Sequence, residues 1–477
     1  MQKILKISPL VLMISTAFAQ EVNTISAPKP IFFEDQSFEP EQPAVKNQSK
    51  VEALPSSVRL TEPLSADKLE QQITQMLIQQ NWQALKPLLA QYQIQPNRDE
   101  ILIRYAQGAL ARAEKDYPQA VKLYQQITVD NPNLIYPQFD LGVMLFENKQ
   151  YLQAEQTLKQ VQPYLSVEMQ KLTDRYLQAI EQAQGWQMDF RLQYIQTDNV
   201  NNASSQREIQ LGGMTFIKEE GSLPQKATGF RYGIGASKET NLSGHYFLTL
   251  NGDIGGVHYW DNQDYNEKSL YFSTGLKYRS YIHTASISPF WEQNWLGSAR
   301  YSQNYGVNIA YSRELSDKFS LSNRFTHTQK RYKDKNTAAR YDGYLNGLNS
   351  TLYYYLNPNI TLFVGADFQR EINRDKAESS NKWGGNIGTI LRAKQIGLRL
   401  SGGYFKRHFR ANNFYTQNQY KRLDKERQFN ASIWHEKLQW KGFVPKLNYK
   451  YRRIDSNIPQ FYARQNSEWF MTVEKVF

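Results

Sequence analysis

Six histidines, His245, His258, His283, His327, His408 and His435, are the side chains in this chain best suited to hold a metal or move a proton. They fall in separate segments, with no HExxH pattern and no pair at ligand spacing on one helix, so each reads as a wall residue of a larger element. Gly384-Gly385-Asn386-Ile387-Gly388 has the glycine density of a phosphate loop but lacks the strand, turn and helix that such a loop needs. No serine has a recognisable partner base, and cysteine is absent, which removes thiolate chemistry and disulfide staples together. The expectation is a protein that is not an enzyme, with no catalytic residue, no metal ligand and no cofactor. Recognition is the chemistry that remains.

Two kinds of residue serve recognition here. Gln329-Lys330-Arg331-Tyr332-Lys333-Asp334-Lys335, Lys406-Arg407-His408-Phe409-Arg410 and Lys421-Arg422-Leu423-Asp424-Lys425-Glu426-Arg427 are basic clusters in a chain of formal net charge +12. The favoured reading is attraction to lipopolysaccharide phosphates, and the other is a charged rim or lumen that guides an acidic client polypeptide. Nucleic acid is not an expected partner at the address argued below, although an isoelectric point near 9.3 would otherwise raise it. Aromatic residues on a helical groove are the second kind. They depend on the elements that carry them.

Residues 62–185 are rich in Gln, Ala and Leu and repeat at a period of 34: Gly108 with Gly142, Tyr117 with Tyr151, Ala120 with Ala154, Tyr124 with Leu158. Small and large residues at that offset let paired antiparallel helices pack closely and stack on the next pair, and the pattern resembles the tetratricopeptide repeat. In that register the inner helices present Leu102, Tyr105, Ala109 and Arg112, then Tyr136, Phe139, Val143 and Phe146, toward a concave side. Tyr105, Arg112, Phe139 and Phe146 are the expected client-binding residues.

The flanking segments give the address. Lys3 and Lys6 precede the apolar run Ile7 to Phe18, and Ala17-Phe18-Ala19 fits a signal peptidase, so residues 1–19 are expected to be a signal peptide. Residues 20–61, with Pro28, Pro30, Pro40, Pro43 and Pro55 among polar residues, read as a flexible tether. A mean hydropathy of -0.66 excludes a helical membrane protein.

Residues 186–477 change to short alternating strands dense in tyrosine, as an outer-membrane β-barrel requires. The last segment carries Trp469, Met471, Val473 and Phe477 on one face and Glu468, Thr472 and Glu474 on the other, with Lys475 as the flaw in the apolar stripe. Counting back from it, tight turns near 239–241, 280–282, 314–317, 357–359, 394–395 and 438–442 alternate with longer loops near 257–266, 331–341, 373–381, 411–426 and 456–464. Short turns belong on the periplasmic side and long loops outside. A periplasmic amino-terminal domain demands an even strand number, and the count fits about 14 if Gln187 to Asn199 is the first strand. That parity assigns Glu208 to Phe216 to the first external loop. The expected fold is therefore α+β and multidomain: α-helical tetratricopeptide repeats, then a transmembrane antiparallel barrel of about 14 strands.

This domain order, the Gly185-Trp186-Gln187 junction and the stretch Thr197-Asp198-Asn199-Val200-Asn201-Asn202-Ala203 resemble the surface lipoprotein assembly modulators, the Slam family. The resemblance implies translocation of specific client proteins across the bacterial outer membrane, the repeats docking the client and the barrel acting as the conduit. The expected partners are the client lipoprotein or haem-binding protein that the resemblance implies, periplasmic chaperones, and outer-membrane lipid and lipopolysaccharide. A polysaccharide exporter of the repeat-plus-barrel type or a passive porin is the alternative, and the short repeat array favours protein clients.

Overall fold

The computed structural model describes residues 68–211, 214–438 and 443–475. The expected signal peptide and tether, and the closing Val476-Phe477, lie outside them.

Seven helices come first: α1 (Lys68–Ile78), α2 (Trp82–Gln93), α3 (Glu100–Ala113), α4 (Tyr117–Asp130), α5 (Ile135–Glu147), α6 (Tyr151–Val161) and α7 (Val167–Gln184). Their starts are set locally, since the side chains of Asn81, Asp99, Asp116 and Ser166 accept hydrogen bonds from the backbone N–H of Ala84, Ile101, Gln119 and Met169. Helices α3 with α4 and α5 with α6 form the two repeats that the 34-residue period marks. The coincident pairs are the packing contacts themselves. A Cβ on Gly142 would stand 2.7 Å from the Leu158 side chain, and one on Gly108 would overlap the ring of Tyr124, so each glycine admits the large residue of its own repeat.

That fit gives a first prediction. Tyr124 is fully buried and its ring lies 5.1 Å from that of Tyr105, so it has no room to yield. Gly108→Ala gains roughly 1 kcal/mol of helix propensity and incurs about 1–3 kcal/mol of overpacking. The helical domain should lose up to about 2 kcal/mol net, read as a lower urea midpoint of the helical circular dichroism signal.

The barrel strands follow. β1 (Gln187–Thr197) leads to an external hairpin, β2 (Glu208–Leu211) and β3 (Met214–Ile217), and the wall resumes with β4 (Ala227–Ser243), β5 (Tyr246–Tyr259), β6 (Glu267–Arg279), β7 (His283–Leu296), β8 (Ala299–Glu314) and β9 (Phe319–Tyr332). After helix α8 (Lys335–Tyr341) come β10 (Gly343–Asn357), β11 (Ile360–Asn373), β12 (Ser380–Ala393), β13 (Ile396–Asn412), β14 (Lys421–His435) and β15 (Phe443–Ser456). Helix α9 (Pro459–Tyr462) precedes β16 (Arg464–Lys475). Strand β1 and strands β4 to β16 close an antiparallel barrel of 14 strands, with β2 and β3 paired only to each other. The even count and the exclusion of Glu208 to Phe216 both agree with the parity argument.

Alternation sorts the wall residues. On β11, Leu362, Val364 and Phe368 are exposed toward lipid, while Phe363, Asp367, Gln369 and Glu371 are buried toward the lumen. On β16, Trp469 and Met471 face outward; inside, Glu468 lies 3.9 Å from Arg231 and Thr472 accepts from Asn448 at 3.0 Å. The side chains from Val473 onward, Lys475 included, lie outside the described residues.

Two boundaries differ from expectation. The tight turn expected at 239–241 is Gly244-His245, because strand pairing needs a residue that accepts positive φ, and Gly244 takes +51°. The loop expected over 411–426 ends at Tyr420, because Arg422, Asp424 and Glu426 alternate inward and extend β14.

Candidate functional site

Three of the four expected client-binding residues are core side chains, and the fourth is ion-paired. Tyr105 is 6% exposed and its hydroxyl donates to Asp140 at 2.6 Å. Phe139 is 3% exposed, and both it and the partly buried Phe146 pack edge-on against Tyr176 of α7, at centroid distances of 6.3 and 5.4 Å. On α5 the face that carries Phe139 and Phe146 is thus covered by the chain's own α7, and on α3 Tyr105 and Arg112 are met by Asp140 and Glu147 of α5. Arg112 makes a two-pronged pair with Glu147, at 2.8 and 2.7 Å. The four do form one cluster, but it is a stacking core rather than an open groove.

The polar heart of that cluster is Asp140, which sequence reasoning missed. Its position between Phe139 and Leu141 on an apolar helix was the available signal, since a carboxylate there must find partners inside. Burial pushes its pKa up to about 6, opposed by the Tyr105 hydroxyl and the Arg112 charge. Burial also raises Tyr176 to about 12. The Glu147 pairing outweighs burial at Arg112 and holds that guanidinium above its ordinary range. A carboxyl whose folded pKa is raised favours folding below its ordinary 3.8 and loses that contribution as pH rises toward 6. Two units correspond to about 3 kcal/mol at most. Helical-domain stability should therefore decline between pH 4 and 7 more steeply in the native chain than in Asp140→Asn, compared by urea unfolding.

The helical domain is fastened to the short-turn end of the barrel. Phe247 of β5 is 1% exposed and belongs to the helical core, its ring 5.7 Å from Tyr151. Asn241 is the bracket: its side chain accepts from the Leu152 N–H at 2.8 Å, and its own N–H donates to the Gln184 side chain at 2.8 Å. Farther round the rim, Lys115 pairs with Asp317 at 2.6 Å and Tyr117 meets Tyr281 edge-on at 4.8 Å. Three successive turns, after β4, β6 and β8, thus hold the array. Burial lowers the pKa of His245, in the first of those turns, below its ordinary value.

The outer half of the lumen holds an ion network. Glu426, 1% exposed, accepts from Arg407 at 3.2 Å, Lys382 at 3.3 Å and Arg452 at 3.1 Å. Arg407 also reaches Glu371 at 3.4 Å, and Glu371 pairs with Lys330. Lys330, Arg407 and Arg422 of the basic clusters therefore point inward and are ion-paired, whereas Arg331, Lys333, Arg410, Lys421 and Lys425 are exposed. Among the described residues no group of three or more His, Asp and Glu side chains is placed to hold a metal.

The model of the family described as "Surface lipoprotein assembly modifier" matches residues 186–477, and that of the family's N-terminal TPR repeats matches residues 62–158. The chain belongs to the surface lipoprotein assembly modifier family. A member from Pasteurella multocida is 29% identical over 399 residues, covering 80% of this chain and 77% of its own. Surface lipoprotein assembly modifier 1 of Haemophilus influenzae is 27% identical, covering 84% and 83%. The hemophilin secretion modulator of Acinetobacter baumannii is 21% identical, covering 81% of each. As a surface lipoprotein assembly modifier, the protein resides in the bacterial outer membrane, with its helical repeats on the short-turn side of the barrel.

The Asn199-Val200-Asn201-Asn202-Ala203 stretch of this modifier is a clasp for the first external loop. Asn199 exchanges bonds with Ala203, its side chain accepting at 2.8 Å and donating at 2.9 Å. Asn201 spans to the far end of the loop, donating to the Leu223 carbonyl at 2.8 Å and accepting from the Gln225 N–H at 3.0 Å. Asn202 takes φ of +47°, a conformation asparagine tolerates, and its side-chain oxygen accepts from Asn466 at 2.9 Å.

Proposed function

We propose that this protein moves particular client proteins, surface lipoproteins or related haem-binding proteins, from the periplasm to the outside, with the helical array docking the client and the barrel acting as its conduit. What supports this reading, beyond family membership, is the shared core at Phe247, which fixes the docking domain to the barrel entrance. Exposed helix surfaces touch the client. Tyr105, Arg112, Phe139 and Phe146 act by holding the helices at the angle that presents those surfaces. Periplasmic chaperones deliver the client unfolded, and exposed basic residues at the outer rim meet lipopolysaccharide. Folding of the client outside supplies direction, because the sequence offers no nucleotide-binding motif.

Co-expression with a tagged surface lipoprotein or haem-binding protein from the same genome, in a heterologous host, tests the reading. External protease should reach the client on intact cells only when this chain is present. Equal access without it overturns the proposal.

A further inference from the structure

Among the described residues, thirteen of the fourteen strand junctions pair eleven residues or more, and the one that closes the barrel pairs two. Strand β1 is matched to β4 along all of Gln187–Thr197, and β16 to β15 from Arg464 to Lys475, so neither strand is irregular in itself. Between β1 and β16, Gln193 stands opposite Thr472 and Tyr194 opposite Met471, and no further described residues are in register. On the lumen side of this seam the Gln193 Nε2 and Asn466 Oδ1 atoms are buried without a hydrogen-bond partner among the described residues. On the lipid side stand the exposed Leu192, Tyr194, Trp469 and Met471.

The seam is held at its outer end by the first external loop instead of by the ladder. Asn466 of β16 donates to Asn202, just after β1. The Ser204 hydroxyl donates to the Pro459 carbonyl at 2.9 Å, and Ile209 of the external hairpin is buried among Ile458, Phe461 and Tyr462. Each contact joins the chain that leaves β1 to the chain that enters β16. A short ladder closed by a side-chain latch is the arrangement that opens at least cost, since few backbone bonds must break.

We propose that the β1–β16 seam is a lateral gate: during transport it parts, and an extended segment of the client adds to the freed edges as a strand, after which the first external loop recloses it. This rests on the client-translocation reading and names the route. An extended polypeptide is the occupant because parted edges in lipid present rows of N–H and C=O groups that acyl chains cannot satisfy, and a strand satisfies them by augmentation.

The absence of cysteine makes the test clean. Gln193→Cys with Thr472→Cys places two thiols at opposed positions of an antiparallel pair, within reach of a disulfide. Ser322→Cys with Thr351→Cys does the same across β9 and β10 as the control. Both full-length variants are co-expressed with the tagged client, and protease access on intact cells is read before and after oxidation. Oxidising the seam pair should cut client exposure tenfold or more, reduction should restore it, and the control pair should change nothing. Undiminished exposure with the seam locked overturns the gate, whereas failure of the unaltered chain to expose any client overturns the translocation reading. A photo-reactive phenylalanine analogue at Leu192 should capture client polypeptide during transport. Capture of lipid alone would overturn strand addition.

Discussion

A chain lacking residues 64 to 185 should insert as a closed barrel and leave its client inside the cell. The barrel half has its own closed strand order, and the 14-stranded wall takes no strand from the helices. Deletion uncovers Phe247 and strips the Leu152 and Gln184 contacts from Asn241, a local loss at one end of β4 and β5. The heat-modifiable mobility of a folded barrel should therefore survive. Docking should not, because the conduit has lost the surfaces that hold a client at its entrance. External protease should reach at least tenfold less client than with the full chain. Undiminished exposure by an inserted, truncated barrel would remove the docking role and leave the helices a structural cap.

Much of this arrangement was legible in the sequence because it rests on periodicity. The 34-residue offsets name contacts that the helices make, Gly108 against Tyr124 and Gly142 against Leu158. Strand parity placed Glu208 to Phe216 outside the wall, where it forms the external hairpin. The interior of the helical array was harder to read. A concave face is defined by repeat register, but whether a further helix lies on it depends on the path of the chain after the last repeat. Tyr176 of α7 reaches Phe139 and Phe146 from beyond the periodic segment, so nothing in the period announces it. The basic clusters were half legible for a related reason. Charge density along the sequence ignores the two-residue alternation that sends Arg407 and Arg422 inward while Arg410 and Lys421 stay exposed. Phe247 did carry a signal, as an apolar side chain in register with the inward Thr249 and Asp253, where a barrel wall is otherwise polar.

Glu426→Ala should give the largest change in the barrel itself. One carboxylate here neutralises Arg407, Lys382 and Arg452 in a region where all four side chains are at most 10% exposed. Removing one member of a buried ion pair costs about 3–5 kcal/mol, because the remaining charge keeps its desolvation without its partner. Lys382, Arg407 and Arg452 converge on that one anion, with Arg407 also paired to Glu371, so like-charge repulsion among the three adds to that cost. The strain can relax in one direction only, toward water in the lumen, so loss of barrel thermal stability should come with an opened path. In planar bilayers the variant should conduct more than the native barrel and favour anions, since the groups left lining the path are guanidinium and ammonium. Glu426→Gln keeps hydrogen-bond acceptance without charge and should fall between the two. Unchanged conductance together with unchanged thermal stability would show that the network neither seals nor braces the lumen.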